Sequence, residues 1–528
     1  MNGDFSIQQP KNRATVVFFL RIGLVIGLVS VLVLSNLGSK QPNTVQAMSW
    51  PASTPEAQGI DSNDLIGMLD WIEAEQLDVH SILVMRHNQL VMEVYYPPFD
   101  RDVRHLQFSA TKSFTSALVG IAVGEGKIQT IDQPFMNYFT DIPVQNMSEW
   151  KQSITIRNLL DMTSGLEIDE NGHATVEEAV NKPSLKEPGT LFEYNPVNTI
   201  LLAAIVEKAT GMRMADYGRV KLFEPLGIKD VYWASDSNGV TLGAVGLLLT
   251  PREMLKFGML YNQGGVWDGK QVVPVDWVAA TMQMNDRGYG YLWWQGLGGI
   301  GAAGYSGQRI FVFPQQDIIT VVTGEFPEDW YSDNVAVTPL FAIRSDEALP
   351  ESPASAVLAE RIRAIERPQS QPVPASPVMA KLVSGKTIQL DENALGWETA
   401  NLEFKDKYAY LDITTNADNH VKKFVIGLDG VYRGTMQKAV TEYAVPVPPQ
   451  RYVLNPYEFN FILGIPVDGT AWMKGAWVDE ASFSLIVQDS RDFEKDTLTF
   501  HFAPPNVSID WYSAREMKTQ MTFAGQIK

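Results

Sequence analysis

The stretch FSATKSFTSALVG, Phe108 to Gly120, decides how this sequence folds and what chemistry it supports. It places a serine and a lysine three residues apart at the start of an apolar run with helical spacing. Residues three apart lie on the same face of a helix, so Lys112 can bring its amine to the hydroxyl of Ser109. Taken alone, the stretch leaves two interpretations open: a serine that caps a helix beside a solvated lysine, or a nucleophile with its base one turn away.

A lysine base makes specific demands on its surroundings. A serine hydroxyl is a poor nucleophile at neutral pH, and a lysine can activate it only where burial and the positive end of a helix dipole favour the uncharged amine. Lys112 lies in the first turn of the predicted helix, among apolar residues. The same S-x-x-K spacing recurs at Ser148 to Lys151, in the polar stretch NMSEWKQS, where we predict a surface loop.

Length and composition narrow the class of protein. The chain has 528 residues, and at ~100 to 200 residues per domain this length predicts two to four domains. The net charge of −19, without a basic block, disfavours nucleic acid as a partner. The absence of cysteine excludes disulfides and a cysteine nucleophile, and the scattered histidines show no metal-binding spacing. We therefore predict neither a metal nor an organic cofactor.

The N-terminal region predicts a membrane segment. Lys11 and Arg13 precede an apolar run from Thr15 to Leu34 that only Arg21 interrupts. About 20 such residues can span a bilayer, and the preceding charges favour a cytoplasmic N-terminus. We therefore predict an extracytoplasmic protein anchored in the membrane by this segment. The alternative is a protein secreted after signal cleavage, because the uninterrupted part, Ile22 to Leu34, has the length of a signal peptide's apolar region.

Shifts in composition divide the chain into four segments. The globular part begins near Trp50, and proline- and serine-rich stretches mark a linker after Arg344. The predicted segments are a cytoplasmic tail with an anchor or signal and a tether (1–48), a globular domain (49–344), a linker (345–380) and a C-terminal β domain (381–528).

Secondary-structure patterns predict the fold class of both globular segments. Leu77 to Tyr96 has the pattern of two strands around the turn HNQ. Strands at both ends of a mostly helical middle predict an α/β fold of the α+β type, with a sheet flanked by helices. In the last segment, stretches such as Ala400 to Thr415 alternate apolar and polar residues between turn signals, which predicts an all-β meander.

Two glycine-containing motifs match known site patterns but lack the required structural context. GLGGIG, Gly296 to Gly301, fits the dinucleotide pattern G-x-G-x-x-G, yet a strand and not a helix is predicted after it, so we interpret it as a loop between two strands. GYSGQ, Gly304 to Gln308, differs from the nucleophile elbow G-x-S-x-G at its fifth residue and also runs into a strand. We therefore do not assign Ser306 as the nucleophile.

The tetrad Ser109-Ala-Thr-Lys112 resembles the active-site tetrad of the serine β-lactamase and penicillin-binding-protein superfamily, in particular its class C branch. That branch includes 6-aminohexanoate-dimer hydrolases, esterases and DD-peptidases. Further blocks resemble the family in order along Trp50 to Arg344, namely residues 154–166, 188–211, 224–233 and 247–274. The resemblance implies a β-lactamase- and transpeptidase-like antiparallel sheet flanked by helices.

By the same resemblance, Tyr194 stands at the family's second motif, where it would relay a proton between the serine, the lysine and the leaving group. The family usually has an asparagine two residues after this tyrosine, whereas this chain has Pro196 there. Asn195 and Asn198 are both candidates to replace that asparagine in substrate binding.

The family's third motif, usually K-T-G, corresponds to Tyr305-Ser306-Gly307, which the resemblance assigns to substrate binding. A neutral tyrosine cannot pair with a substrate carboxylate as a lysine does, so esterase- or amidase-like activity is favoured over that of a true β-lactamase. The resemblance also implies an oxyanion hole formed by the backbone N–H groups of Ser109 and Gln308. For Arg309 the sequence favours a solvated arginine on a strand.

Together these expectations describe a membrane-tethered serine hydrolase that cleaves an ester or amide bond of a small molecule. The acyl-enzyme would form on Ser109, with Lys112 and Tyr194 moving the proton. Two alternatives stay open: a non-catalytic binding or sensor protein on the same fold, and a DD-peptidase or β-lactamase that acts on cell-wall peptides or β-lactams. For the C-terminal domain, docking over the active site, association with another chain and passive stabilisation all stay open.

Overall fold

The computed structural model describes residues 50–169, 174–229, 231–236, 238–393, 396–415, 418–437, 469–489, 495–513 and 518–528. The predicted anchor or signal at Thr15 to Leu34 lies outside these residues. Among the described residues, no helix has the length and apolar character that a membrane crossing requires.

The strands before the predicted linker are β1 (Asp78–Arg86), β2 (Gln89–Tyr95), β3 (His105–Leu106), β4 (Tyr232–Trp233), β5 (Leu247–Leu249), β6 (Val266–Trp267), β7 (Lys270–Gln271), β8 (Tyr289–Gly290), β9 (Trp293–Gly296), β10 (Gly299–Gly304), β11 (Gln308–Phe313) and β12 (Ile318–Glu325). The strands after it are β13 (Thr387–Leu390), β14 (Trp397–Lys405), β15 (Tyr408–Thr415), β16 (Asp418–Gly427), β17 (Arg433–Gln437), β18 (Gly469–Trp477), β19 (Ser482–Asp489), β20 (Lys495–Ala503), β21 (Asn506–Ser513) and β22 (Lys518–Ile527).

The helices of the described chain are α1 (Ser62–Ala74), α2 (Thr111–Gly124), α3 (Glu149–Ser153), α4 (Ile156–Leu160), α5 (Val176–Asn181), α6 (Pro196–Thr210), α7 (Met214–Gly218), α8 (Pro251–Asn262), α9 (Val275–Met282), α10 (Asp329–Phe341), α11 (Pro353–Glu366) and α12 (Val378–Val383).

A seven-stranded sheet forms the centre of the first globular segment. Its order is β2-β1-β12-β11-β10-β9-β8, and each neighbouring pair is antiparallel. The predicted hairpin is present as β1 and β2, joined by His87 and Asn88, whose φ values of 48° and 59° suit a two-residue hairpin turn. The predicted glycine loop is the turn between β9 and β10 at Leu297 and Gly298.

Helices cover both faces of this sheet. On one face, α1, α10 and α11 share a core with residues of the sheet, among them Ile82, Val84, Phe311 and Val322. On the other face α8 lies so close that a side chain added at Gly258 would come within 2.6 Å of Ile319. Because both faces are covered, β1 and β12 are buried along nearly their whole length. The predicted antiparallel sheet flanked by helices is confirmed.

The helical part of the predicted linker packs against the first globular segment. Ser352 is the N-cap of α11, and its hydroxyl accepts a hydrogen bond from the backbone N–H of Ala354. Leu358 of α11 is 2% exposed and joins the core under α1. Arg361 bonds to Asp70 at 3.3 Å and also pairs with Glu73, so α11 is bound to α1 by both apolar and charged contacts.

The C-terminal strands form the predicted meander. In the described part of this region, ten strands follow the order β16-β15-β14-β13-β22-β21-β20-β19-β18-β17, and a parallel pairing of β16 with β18 closes them into a barrel. β20 shows the expected alternation, with every second side chain buried in the barrel core.

Two buried histidines lie next to each other where the first segment meets the barrel. His80 on β1 and His105 on β3 have no exposed surface, and His80 Nδ1 lies 3.2 Å from His105 Nε2. Burial lowers the pKa of His105 to about 3. Burial, together with the nearby His105 and Lys495, also lowers the pKa of His80 well below its usual value. Both imidazoles are therefore neutral in the folded protein at neutral pH.

We expect acid to destabilise the protein through this histidine pair. In the unfolded chain a histidine titrates near ~6.5, so below that pH the unfolded state binds more protons than the folded state. The free energy of unfolding should therefore fall by up to ~1.4 kcal/mol per pH unit for each histidine as the pH drops from about 6.5 towards the folded pKa. Urea unfolding from pH 5 to pH 8 measures this slope.

In His105→Gln the free energy of unfolding should depend less steeply on pH. The glutamine amide does not titrate and can still form hydrogen bonds at the same position. His87→Gln is the matched control, because it removes a histidine from the β1–β2 turn and leaves the buried pair intact. Equal slopes in these two variants would contradict the assignment to the pair.

Candidate active site

The nucleophile candidate and its predicted base are in contact. Ser109 lies in a 3-10 turn, Phe108–Ala110, that leads into α2. Lys112 Nζ lies 2.9 Å from Ser109 Oγ and donates a second hydrogen bond to the Ala244 carbonyl at 3.1 Å. The Lys112 side chain is buried, with 2% exposure. Ala110 stands at the N-cap of α2 and no side chain caps the helix there, so Ser109 is not a capping serine.

The residue before Ser109 has an unusual backbone conformation. Phe108 has a φ of 43°, a left-handed value that is costly for a bulky side chain. Its ring packs against an apolar cluster of Phe99, Leu106 and Leu248 and meets the ring of Tyr305 at a centroid distance of 5.7 Å. These contacts support the conformation that orients Ser109.

Tyr194 lies beside the same lysine. Lys112 Nζ is 4.9 Å from the centroid of the Tyr194 ring. The ring stacks on Trp294 at 5.7 Å and meets Tyr289 edge-on at 6.0 Å. The three predicted catalytic side chains are therefore gathered in one place. Sequence reasoning missed Tyr289 and Trp294, because aromatic residues in a strand pattern usually indicate only core packing.

The hairpin that carries these two aromatic residues is tied to α2. Its turn consists of Tyr291 and Leu292, with φ values of 53° and 63°. The Leu292 carbonyl accepts a hydrogen bond of 2.8 Å from the hydroxyl of Ser113, the residue after Lys112. The Tyr291 N–H donates to a carboxylate oxygen of Asp161 at 3.1 Å. The β8–β9 hairpin thus links α2, which carries Lys112, to Tyr289 and Trp294, whose rings contact Tyr194.

The third-motif residues form the turn between β10 and β11. Ser306 and Gly307 have φ values of 59° and 102°, and Tyr305 is 42% exposed. A side chain at Gly304 would lie 2.2 Å from the Gln107 carbonyl oxygen, which shows how closely this strand approaches the segment before Ser109. The side chain of Gln308 is buried and donates to the Gly324 carbonyl at 2.8 Å.

The two asparagines predicted to bind substrate form hydrogen bonds with other residues of the fold. Asn195 caps α6, since its Oδ1 accepts from the Val197 N–H at 3.0 Å, and its Nδ2 donates to the Leu166 carbonyl at 2.9 Å. Asn198 accepts from the Ser164 hydroxyl at 2.6 Å. Both side chains are buried, at 1% and 0% exposure. Their contacts therefore give no support to a role in substrate binding.

Arg309 is not a solvated arginine, so that expectation is wrong. It is 1% exposed, its Nε bonds to Asp333 at 2.6 Å and its Nη2 to Asp329 at 2.8 Å. It also donates to the Gly304 carbonyl, at the start of the third-motif turn. The two carboxylates come from α10, about 20 residues further along the chain, which local sequence patterns do not reveal.

The prediction of a surface loop at the second S-x-x-K tetrad is also wrong. Ser148 caps the short helix α3 and accepts from the backbone N–H of Lys151 at 3.1 Å. Lys151 is fully buried, its Nζ donates to the Val180 carbonyl at 2.7 Å, and burial lowers its pKa to about 8. The Ser148 hydroxyl thus bonds to the backbone N–H of Lys151, whose amine bonds to the Val180 carbonyl. In the first tetrad the lysine amine bonds to the serine hydroxyl itself.

A cavity of about 320 Å³ adjoins the second motif. It is lined by Leu166, Glu167, Ile168, Leu185, Lys186 and Glu193. Glu193 immediately precedes Tyr194 and forms an ion pair with Lys186. Among the described residues, no group of three or more histidine, aspartate or glutamate side chains is arranged to hold a metal ion.

Comparison with known proteins gives a family and several relatives. The family model named Beta-lactamase matches residues 72–335. The 6-aminohexanoate-dimer hydrolase of Paenarthrobacter ureafaciens is 25% identical over 338 residues, covering 56% of this chain and 85% of that protein. A putative D-alanyl-D-alanine carboxypeptidase of Escherichia coli K12 is 25% identical over 224 residues, covering 35% of this chain and 51% of that protein.

Among solved structures, the putative 6-aminohexanoate-dimer hydrolase from Bacillus anthracis is 18% identical with a TM-score of 0.46 and covers 60% of this chain and 87% of its own. The octameric penicillin-binding protein homologue from Pyrococcus abyssi is 15% identical with a TM-score of 0.43 and covers 88% of this chain and 99% of its own.

The contacts of Asn195 predict a structural effect of its removal. Asn195→Ala should lower the free energy of unfolding by about 1 kcal/mol through loss of the α6 cap, while KM for a chromogenic ester stays within about twofold. Asn195→Ser, which keeps a capping oxygen, should recover most of that stability. A KM that rises tenfold in the alanine variant without a change in unfolding would instead establish Asn195 as a substrate-binding residue.

Proposed function

Because this chain belongs to the beta-lactamase family and is a serine hydrolase, we propose that it cleaves an ester or amide bond of a small molecule through an acyl-enzyme on Ser109. The observation that carries this proposal is the 2.9 Å contact between Lys112 Nζ and Ser109 Oγ. It unites a hydroxyl with a buried amine at the start of a helix, which is the arrangement that acyl transfer by a serine and a lysine needs.

In the proposed reaction, Ser109 Oγ attacks the carbonyl carbon and its proton passes to the uncharged Nζ of Lys112. The bond from the carbonyl carbon to the leaving oxygen or nitrogen then breaks. The leaving group takes up the proton by way of the Tyr194 phenol, which lies beside Lys112. Water attacks the resulting ester, its proton returns along the same path, and the acid product leaves Ser109 in its original state.

The negative charge that develops on the carbonyl oxygen requires hydrogen-bond donors. We assign this role to the backbone N–H groups of Ser109 and Gln308. The assignment is supported by the close approach of Gly304 to Gln107, since this contact brings the third-motif turn next to the nucleophile segment.

Tyr305, with Ser306 and Gly307, is the proposed contact for the part of the substrate away from the reacting bond. Its exposed phenol carries no charge, so we expect a substrate that is uncharged at this end. Attachment outside the cytoplasm through Thr15 to Leu34, and the domain limits 49–344 and 381–528, rest on the sequence and are proposed on that basis.

A fluorophosphonate probe tests the nucleophile. The probe should label the protein at Ser109, and Ser109→Ala should abolish labelling. Ser148→Ala is the matched control, because it removes the serine of the other tetrad, which caps α3, and it should retain labelling. Full labelling of the Ser109→Ala variant would refute the assignment.

Turnover of a neutral chromogenic ester, followed past one equivalent, separates an enzyme from a sensor. Steady product release beyond the first equivalent is the expected result. A single equivalent followed by no further release would favour a binding or sensor protein. Nitrocefin hydrolysis as fast as ester hydrolysis would favour a β-lactamase.

Lys112 should be required for acylation. Lys112→Met keeps most of the length of the side chain but cannot accept a proton, so the acylation rate constant should fall roughly 100- to 10,000-fold. Tyr194→Phe, which keeps the ring on Trp294, should also slow the reaction. Stopped-flow acylation with an activated ester measures both effects.

The second tetrad supplies the control for this measurement. Lys151→Met removes another buried amine, one bonded to the Val180 carbonyl, and should leave the acylation rate unchanged in the folded protein. An equal loss of rate in the Lys112 and Lys151 variants would show that the Lys112 effect is not specific.

A further inference from the structure

The C-terminal barrel contacts the segment that carries Ser109. Trp472 on β18 lies with its ring 5.5 Å from the ring of Phe99, inclined at 62°. Trp472 and Phe108 both pack against the buried cluster of Phe99, Leu106 and Leu248. One apolar cluster therefore joins a barrel tryptophan to the residue immediately before Ser109.

A chain of hydrogen bonds runs parallel to this apolar contact. Gln488 Nε2 on β19 lies 3.3 Å from His80 Nε2, His80 Nδ1 lies 3.2 Å from His105 Nε2, and His105 Nδ1 lies 3.2 Å from the Val103 carbonyl. When both histidines are neutral and protonated on Nδ1, every contact is a hydrogen bond that points away from the barrel. Gln488 then donates to His80, His80 donates to His105, and His105 donates to the Val103 carbonyl. The chain ends at the Val103 carbonyl, six residues before Ser109.

The barrel also contacts the end of β12 and the start of β1. The backbone N–H of Lys495 donates to a Glu325 carboxylate oxygen at 3.1 Å, and Lys495 Nζ lies 3.4 Å from Asp78. Glu325 ends β12 and follows Gly324, whose carbonyl accepts the side-chain N–H of Gln308. The strand beside the proposed oxyanion hole is therefore held by the barrel as well.

The nucleophile segment needs such support because Phe108 has a left-handed backbone. A φ of 43° at a phenylalanine persists only where surrounding contacts favour it over the ordinary conformations. If the cluster under Phe108 loosens, the backbone can relax, and Ser109 Oγ moves relative to Lys112 Nζ.

We propose that Trp472 is a positioning residue for hydrolysis: through the cluster of Phe99, Leu106 and Leu248 it holds Phe108 in its left-handed conformation and thereby places Ser109 against Lys112. This inference rests on Ser109 being the nucleophile. It assigns to the barrel a part in the catalytic arrangement, in place of the three roles that the sequence left open.

Truncation of Trp472 in the full-length protein tests this role. Trp472→Ala should lower the acylation rate constant for a chromogenic ester roughly 10- to 100-fold, because a displacement of about 1 Å at the reacting atoms has effects of this size. KM should change by less than about threefold, since Trp472 packs on Phe99 and its cluster and is not one of the proposed substrate contacts. Trp472→Phe, which keeps an aromatic ring on Phe99, should recover most of the rate.

Trp477→Ala is the matched control. Trp477 lies on the same strand, but its ring packs on Phe404, Phe483 and Phe502 inside the barrel. It should lower the melting temperature while the folded protein acylates at the normal rate. Equal loss of rate in the Trp472 and Trp477 variants would overturn the positioning role, and so would a normal rate in Trp472→Ala.

The result separates this inference from the proposed function. If the unmodified protein is labelled at Ser109 and turns over ester, but Trp472→Ala acylates normally, the positioning role alone is refuted. If the unmodified protein is not labelled at Ser109, both proposals fail. Should Trp472→Ala not fold, Trp472→Leu, which keeps much of the apolar volume but no ring, carries the same expectation of a slower acylation with an unchanged KM.

Discussion

The structure depends on one buried amine at the start of a helix. Lys112 is 2% exposed, and its Nζ contacts the Ser109 hydroxyl, the Ala244 carbonyl and the ring of Tyr194. These are neutral groups, and a buried amine is costly unless it is hydrogen-bonded. A contact that suits acyl transfer therefore has to be held in place by the rest of the fold.

Three turns around this contact each contain a residue with a left-handed backbone. Phe108, Ser306 and Leu292 have φ values of 43°, 59° and 63°. Each is supported from outside its own turn: Phe108 by the apolar cluster that Trp472 also packs against, Leu292 by the Ser113 hydroxyl, and Ser306 by a hydrogen bond from the Phe326 N–H to its carbonyl. Strain of this kind persists only where tertiary contacts impose it. In the proposed reaction the motif residues supply the reacting groups, and these contacts fix the backbone geometry around them.

Local sequence patterns predicted the features that depend on residues close in sequence. They failed for side chains whose burial depends on contacts with residues far away in the chain. The first S-x-x-K pair, the β1–β2 hairpin and the C-terminal meander follow from spacing and alternation, which short segments contain. The buried state of Lys151 depends on the Val180 carbonyl, and that of Arg309 on carboxylates of α10. Neither the polar stretch around Lys151 nor the strand pattern around Arg309 gives a sign of such partners. Trp294 was missed for the opposite reason, because an aromatic residue on a strand is unremarkable until Tyr194 lies against it.

The inward position of Arg309 bears on the choice of substrate. The family's usual third motif has a lysine where this chain has Tyr305, whose side chain is 42% exposed. The cation that follows the motif points away: Arg309 is buried, pairs with Asp329 and Asp333, and donates to the Gly304 carbonyl. Its charge is therefore neutralised behind the turn, where it stabilises the turn's conformation and adds little positive potential on the substrate side. If this motif contacts the substrate as proposed, a carboxylate there would gain no cationic partner from Tyr305 or Arg309, so an uncharged acyl group is the better match.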